Sequence, residues 1–391
     1  MSGIIMSLLD NDLYKFCMQN AVFQLYPRAE VEYKFINRGG TVFSENLVRE
    51  LRMQVDKLCD LRFTSEEIQF LKASCPYLSP LYLDWLSNFK FQSGEVSIGD
   101  DKDLGFSVRI LGPWYRTILW EVPLMALISE IHFQSITNGS EICLDDKMYN
   151  IEKAKKLKGL NVKFADFGTR RRFSRSNHDI VVSLMHEYAG DSFVGTSNVF
   201  LAKKYGFKPI GTHAHEWFMF HAAKYGFQCA NEIALEKWVD VFQGDLGIAL
   251  SDTFTSDNFF KSFGKKYAKL FDGVRHDSGD PIEFAKKTIA HYELLGINPT
   301  TKTIIFSDGL NPDSVSKIAS FCNGKIRHSY GIGTNLTNDV GVKPLNMVIK
   351  MINADPDGDG NCKSTVKLSD EPGKHTGDPL TINLCKETLE L

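Results

Sequence analysis

The 391-residue sequence predicts an α/β protein: a (β/α) barrel-like domain, closed or nearly closed, joined to a separate α+β domain. Three observations lead there. From about residue 160 one unit recurs seven times: a short apolar strand, a polar loop, and usually a helix. The apolar strands run nearly continuous instead of alternating, so the sheet they form is covered on both faces. Before residue 140, and again after residue 345, that unit is missing and the pattern is mixed. The expected division is therefore an α+β domain at 1–140, joined by 345–391, and the barrel-like domain at 141–344.

In order along the chain, residues 10–26 read as a capped amphipathic helix that Pro27 ends. Glu30–Asn37 alternates as a strand, and Arg38-Gly39-Gly40 turns the chain. Helical patterns cover Ser44–Asp60, Ser65–Ser74 and Tyr77–Asn88, with strand-like pieces at Phe89–Ile98 and Phe106–Gly112. Glu121–Gln134 reads as a long buried helix. Then the units begin. Val162–Ala165, Phe193-Val194 and Pro209-Ile210 lead into the loops 166–172, 195–198 and 211–216. Leu246–Leu250 and Phe271–Val274 lead into 251–253 and 275–280. Thr303–Phe306 and Ile326–Tyr330 lead into 307–311 and 331–335. In the tail, strand-like Leu345–Ile352 and Lys363–Leu368 flank the polar turn Ala354–Gly360. Parallel strands joined by right-handed crossovers bring all the loops to one rim. That rim is where α/β enzymes place their chemistry.

Composition excludes several classes. A net charge of −3 lacks the basic excess of a general nucleic-acid binder. Eight scattered cysteines without a CxxC pair suggest neither a zinc knuckle nor a disulfide framework. Asp10 and Asp12 come too early for a signal peptide. The longest apolar region, Thr117–Ile131, is broken by Glu121, Pro123 and Glu130 and is too short to span a bilayer. The expectation is a cytoplasmic protein with no membrane and no nucleic-acid partner. Asn138-Gly139-Ser140 and Asn335-Leu336-Thr337 match the glycosylation triplet, which is common by chance.

The loops carry the chemistry-bearing residues. The stretch Lys208–His221, KPIGTHAHEWFMFH, holds His213 and His215 at a helix start. Imidazole can act there as base, nucleophile or metal ligand. The plainer alternative is that one histidine caps the helix and the other packs among the aromatics. No Walker motif occurs, and no GxGxxG follows the first strand. Gly331-Ile332-Gly333-Thr334 lets backbone N–H groups approach a phosphate, although the same spacing also makes a simple tight turn. Arg170, Arg171, Arg172, Arg175 and Arg275 offer guanidinium donors for phosphate or carboxylate, with part of the triplet open to being a solvated helix face. Asp277, Asp280 and Asp308 suit ribose hydroxyls or magnesium, while Asp277-Ser278 before Pro281 also reads as a helix cap. Phe167 suits a planar ring or the core equally.

Seven motifs in sequence order, DLYKFCMQNA, DFGTRRRFS, GTSNV, GTHAHEWF, RHDSGDP, SDGLNP and GIGTNLTND, resemble those of the nicotinate phosphoribosyltransferases and cover most of the chain. The resemblance implies a type II phosphoribosyltransferase with an open α/β sandwich domain beside the barrel-like one. It implies that nicotinate and phosphoribosyl pyrophosphate give nicotinate mononucleotide and pyrophosphate, in salvage toward NAD. ATP would be a co-substrate split to ADP and phosphate, and Mg2+ would accompany the pyrophosphate groups, with no prosthetic group and no resident metal. By motif, the phosphohistidine falls on His215, and His213 departs from what that place needs. Arg275 and Asp277 complete the catalytic set, Asp277 as the carboxylate stabilising an oxocarbenium-like centre. Phe167 and Tyr14 match the pair that sandwiches the pyridine ring. Tyr14 would come from a partner subunit, implying a homodimer with shared sites, and Arg38 would reach across the same interface. Arg170 falls near the ring and phosphates and Asp308 near the ribose. Ser307, Gly331, Gly333 and Thr334 fall on the 5′-phosphate loops, and Ser197 and Asn198 where acid is told from amide.

Alternatives remain at this point. A nicotinamide or quinolinate phosphoribosyltransferase is the nearest. A metal-dependent barrel hydrolase would use His213, His215 and Asp277 as ligands, two histidines two apart on a strand facing the same way. A sensor that kept the fold without the chemistry is the third.

Overall fold

The computed structural model describes residues 3–99, 106–137, 144–371 and 373–391. The expected boundary at 140/141 and the triplet at Asn138 lie outside the described residues. The strands are β1 (Glu30–Asn37), β2 (Val96–Gly99), β3 (Ser107–Pro113), β4 (Lys163–Asp166), β5 (Phe193–Thr196), β6 (Ile248–Leu250), β7 (Gly273–His276), β8 (Thr303–Phe306), β9 (Arg327–Ile332), β10 (Met347–Asp355) and β11 (Lys363–Ser364). Three helices matter for the site: α1 (Leu13–Leu25), α2 (Glu121–Ile136) and α3 (His215–Tyr225).

The strands form two sheets. One is antiparallel, in the order β11-β10-β1-β3-β2, so the tail does return to pair with the first strand. Its longest ladder runs from Glu30↔Asp355 to Asn37↔Met347. The other sheet is parallel, in the order β5-β4-β9-β8-β7-β6. Parallel pairing places Asp166 level with Ile332 and His276 level with Phe306, so the loops that follow share one end of the sheet. Mixed α/β architecture with a barrel-like parallel sheet and a sandwich-like antiparallel one is what the sequence predicts.

Six strands form where seven units are read. Pro209-Ile210 is an extended connector between the end strands β5 and β6. Ile210 N–H donates to Thr196 O at 3.1 Å, and Thr212 Oγ1 donates to Ile248 O at 3.2 Å. Pro209 has no N–H to give a ladder. The start of α1 also presses into this gap: a Cβ on Gly211, at φ +156°, would lie 2.9 Å from Tyr14 N. Only glycine accepts that approach.

Other departures have local causes. The first helix begins at Leu13, and residues 13–22 are buried all round, so it is a core helix and not an amphipathic one. The helix has no side-chain cap at its start, and Asp10 and the N-cap residue Asp12 instead latch it to the parallel sheet's loops. Asp10 receives two hydrogen bonds from Arg172 at 2.7 and 2.9 Å, and Asp12 accepts from Ser197 Oγ at 2.8 Å. Of the expected strand Phe89–Ile98 only the end pairs, because Phe89 and Phe91 pack on Trp85 and Trp120. Of Lys363–Leu368 only two residues form β11, and Lys367 makes an isolated bridge to Thr376. Among the described residues, no helix is long and apolar enough to cross a membrane.

Candidate active site

A cavity of about 1030 Å³ opens at the carboxyl ends of the parallel strands, closed over by α1 and by the antiparallel sheet. Of the fourteen residues to which the resemblance gives a site role, twelve line it, all but Asn198 and Gly331. The arrangement follows from the loops.

His215 is the first residue of α3, held at the cavity wall and almost fully buried. Its Nε2 lies 3.0 Å from Asp277 Oδ2 and 3.7 Å from Asp252 Oδ1, and its Nδ1 lies 3.0 Å from Thr253 Oγ1. Burial pushes its pKa down to about 4, helped by Lys367 and opposed by the two aspartates. The imidazole is therefore neutral at pH 7. Since a carboxylate only accepts, Asp277 fixes the ring proton on Nε2 and leaves the Nδ1 lone pair beside the Thr253 hydroxyl. Burial resists ionisation of Asp277, but Arg275 and His215 overcome it and keep the carboxyl well below the usual range. Ser307 Oγ donates to Asp277 Oδ1 at 2.7 Å, and Ser278 Oγ donates to Asp252 Oδ2 at 2.5 Å.

The alternatives left open for individual residues resolve here. His213 is fully buried, its Nε2 accepts from Leu250 N–H at 3.1 Å, and its ring meets Trp238 at 4.6 Å. It is a core histidine, so the hydrolase's ligand set of His213, His215 and Asp277 does not form. The cluster that does form is His215, Asp252 and Asp277, whose ligand atoms all lie within 4.8 Å of one another. Its two carboxylates suit a hard divalent cation such as magnesium, whereas the imidazole, with its proton on Nε2, does not. Asp277 does not cap the next helix; Asp280 does, accepting from Ile282 N–H and Glu283 N–H.

On the opposite side, Phe167 and Arg170 follow β4. Arg170 Nη1 is 3.3 Å from Glu121 Oε1, and its guanidinium lies 5.9 Å from the Tyr14 ring centre. Arg171 also lines the cavity, while Arg172 is buried against Asp10 and serves the fold. Gly331 does not line the cavity: a Cβ there would meet the Phe167 ring at 2.2 Å, so this glycine seats the ring. Gly333 and Thr334 do reach the cavity, as do Ser307 and Asp308. Asn198 also falls away from it. Neighbours in an extended stretch point to opposite sides. Ser197 faces the cavity, while Asn198 caps the helix Val199–Tyr205 and donates to Asp10 at 2.7 Å.

Tyr14 and Arg38, expected from a partner subunit, line the cavity of their own chain. The cause for Tyr14 is the latch at the start of α1, where Leu13 N–H donates to Ser197 O at 2.8 Å. Arg38 is held by the tail, donating to Thr376 Oγ1 at 3.2 Å.

Several residues of the site were missed from sequence. Asp252 and Thr253, buried behind the lining against His215, stand in a strand-end loop like the others, so position alone could have found them. Lys350, Lys367 and Lys374 come from β10 and the tail beyond it, where nothing in the pattern separates a cavity lysine from a surface one. Burial lowers the Lys350 amine to about 7, against the pull of Glu121.

Fold and cavity together define an α/β protein with a charged cavity, rich in arginine and lysine, at the strand ends of its parallel sheet. Comparison with known proteins makes the class specific. The nicotinate phosphoribosyltransferase (NAPRTase) family matches residues 162–391, and its N-terminal domain matches residues 9–129. A nicotinate phosphoribosyltransferase of Chromohalobacter salexigens is 56% identical over 98% of this chain and 98% of its own length. One from Methanosarcina acetivorans is 46% identical over 96% of each. The crystal structure of nicotinate phosphoribosyltransferase from Porphyromonas gingivalis superposes with a TM-score of 0.96 at 43% identity, covering 99% of this chain and 100% of that one. The chain belongs to the nicotinate phosphoribosyltransferase family.

Proposed function

We propose that the chain joins nicotinate to phosphoribosyl pyrophosphate, giving nicotinate mononucleotide and pyrophosphate, and that ATP drives the reaction by phosphorylating His215. The observation that carries this reading is the neutral, buried imidazole of His215, oriented by Asp277 and set in a cavity lined by lysines and arginines. A neutral imidazole whose unprotonated Nδ1 has only the Thr253 hydroxyl to displace is a nucleophile toward phosphorus. Asp252 and Asp277 would hold the magnesium that comes with ATP or pyrophosphate, and the ion would supply charge neutralisation.

For the transfer itself, loss of pyrophosphate leaves a cationic ribosyl centre that a carboxylate such as Asp277 stabilises. Phe167 and Tyr14 hold the pyridine ring, and Arg170 takes its carboxylate. Ser307, Gly333 and Thr334 receive the 5′-phosphate, and Asp308 the ribose. The lysines of β10 and the tail offset the pyrophosphate. Discrimination of acid from amide rests on Arg170 and Ser197. The family and its salvage role favour a cytoplasmic enzyme.

The test is a coupled assay with nicotinate, nicotinamide and quinolinate, each with and without ATP, and with γ-labelled ATP. Turnover of nicotinate alone, stimulated by ATP, with acid-labile label on the parent and none on His215→Ala, is the expected result. Preference for nicotinamide or quinolinate overturns the substrate assignment, and label that survives His215→Ala overturns the phosphohistidine.

A further inference from the structure

A chain of charges runs along the cavity wall, and its central member, the buried Lys15, has no part in the chemistry described so far. Lys15, in α1, is fully buried between carboxylates from two other helices. Its Nζ lies 2.6 Å from Glu121 Oε2, at the start of α2, and 2.7 Å from Glu216 Oε1, in the first turn of α3. The other oxygen of Glu121 is the one that meets Arg170, at 3.3 Å. Glu216 follows His215 directly in sequence. Ion pairs thus run from Glu216, the residue next to His215 in the chain, through Lys15 and Glu121 to the ring-side guanidinium of Arg170.

Burying such an array costs desolvation that apolar residues of the same volume would avoid, so stability alone is a poor reason for it. The ammonium is shared between the two carboxylates at nearly equal distances. A dianion arriving near the Glu216 end changes which carboxylate Lys15 favours.

We propose that Lys15 is a positioning residue that transmits the charge on His215 to Arg170, an inference that rests on His215 being the phosphate acceptor. Phosphate on His215 draws the ammonium toward Glu216. Glu121 is then balanced chiefly by Arg170, whose guanidinium closes on it and is fixed for the carboxylate of the planar acid. Lys15 touches no substrate and acts only through these partners.

The experiment measures KM for nicotinate and for phosphoribosyl pyrophosphate, with and without ATP, together with acid-labile label on the protein. In the parent, ATP is expected to lower the nicotinate KM about tenfold or more. Lys15→Met should take label to the parent level, yet ATP should change its nicotinate KM less than about twofold, and Lys15→Arg should restore part of the effect. A parent-sized ATP effect in Lys15→Met overturns the proposal, as does a uniform loss of kcat with the ATP effect intact. If Lys15→Met melts before assay, Glu216→Gln serves: a lost ATP effect supports the link and an unchanged one overturns it. A parent that takes no label sinks the phosphohistidine reading and this proposal together, and shows it before any variant is made.

Discussion

The cavity sets carboxylates from one part of the chain against lysines from another. Asp277 and Asp308 line it from the loops after β7 and β8 of the parallel sheet, with Asp252 behind them in the loop after β6. Lys350, Lys367, Lys374 and Arg38 come from the antiparallel sheet and the tail. The walls touch where Lys374 meets Asp308 at 3.0 Å and Lys367 approaches Asp252 at 3.8 Å. They are built differently. Asp277 and Asp252 are each fixed by a serine hydroxyl and aimed at one imidazole nitrogen. Lys350 has only the Coulombic pull of Glu121 to favour its charge, against burial and three other cations. One wall places atoms, the other places charge, and substitutions should tell the two apart.

The largest effect belongs to the aimed wall. His215→Ala should remove all acid-labile phosphate and all stimulation by ATP while leaving slow transfer, since the cations that hold the substrates remain. Label and rate measured side by side check it; loss of transfer as complete as loss of label would mean that His215 does more than accept phosphate. Asp277→Asn should lower kcat/KM by about 10²- to 10³-fold, the usual cost of one aimed electrostatic partner. Asp277→Glu should fare little better, because a longer side chain misses both Ser307 and His215. On the other wall Lys367→Arg should stay within about threefold of the parent, since a point charge is all that is asked there. Equal tolerance at both positions would erase the contrast.

The same contrast explains what could be read from the sequence. Aimed groups sit in short loops between apolar strands, and such loops announce themselves; hence His215, Arg275, Asp277, Ser307 and Asp308 were all legible and all line the cavity. The lysines lie on β10 and beyond it, in a stretch whose pattern says only strand and loop. Whether Lys350 turns inward is decided by pairing with β1, where it stands opposite Lys34, and no local signal carries that. The fold itself was legible for a related reason: continuous apolar strands and strand-end loops are local. The seventh strand failed because Pro209 and the press of α1 on Gly211 are a tertiary matter. His213 misled because spacing from His215 implies a shared face only in a regular strand, and that stretch is not one.

A smaller effect tests the ring seat between the walls. Gly331→Ala puts a methyl into the space that the Phe167 ring occupies, so the ring must move or the strand must shift. The nicotinate KM should rise about tenfold, with the KM for phosphoribosyl pyrophosphate moving far less. Parallel rises in both would place Gly331 among the phosphate contacts instead of beneath the ring.

The finest test titrates the cationic wall. With the Lys350 amine at about 7, close to half of it is uncharged at neutral pH in the free protein. An anionic ligand favours the ammonium form, so binding draws a proton onto Lys350 and the affinity depends on pH. The sign is fixed: lowering pH toward and below about 7 supplies the charge in advance and tightens binding, and raising it weakens binding by at most about tenfold per unit. The KM for phosphoribosyl pyrophosphate should therefore climb between about pH 7 and pH 9 in the parent. Lys350→Arg should flatten that climb, because a guanidinium keeps its charge throughout the range. Titration of the substrate's own phosphates affects parent and variant alike, so the difference between their profiles isolates the lysine. Identical profiles would mean that Lys350 stays charged in the free protein, and that the wall is as firmly settled as the carboxylates it faces.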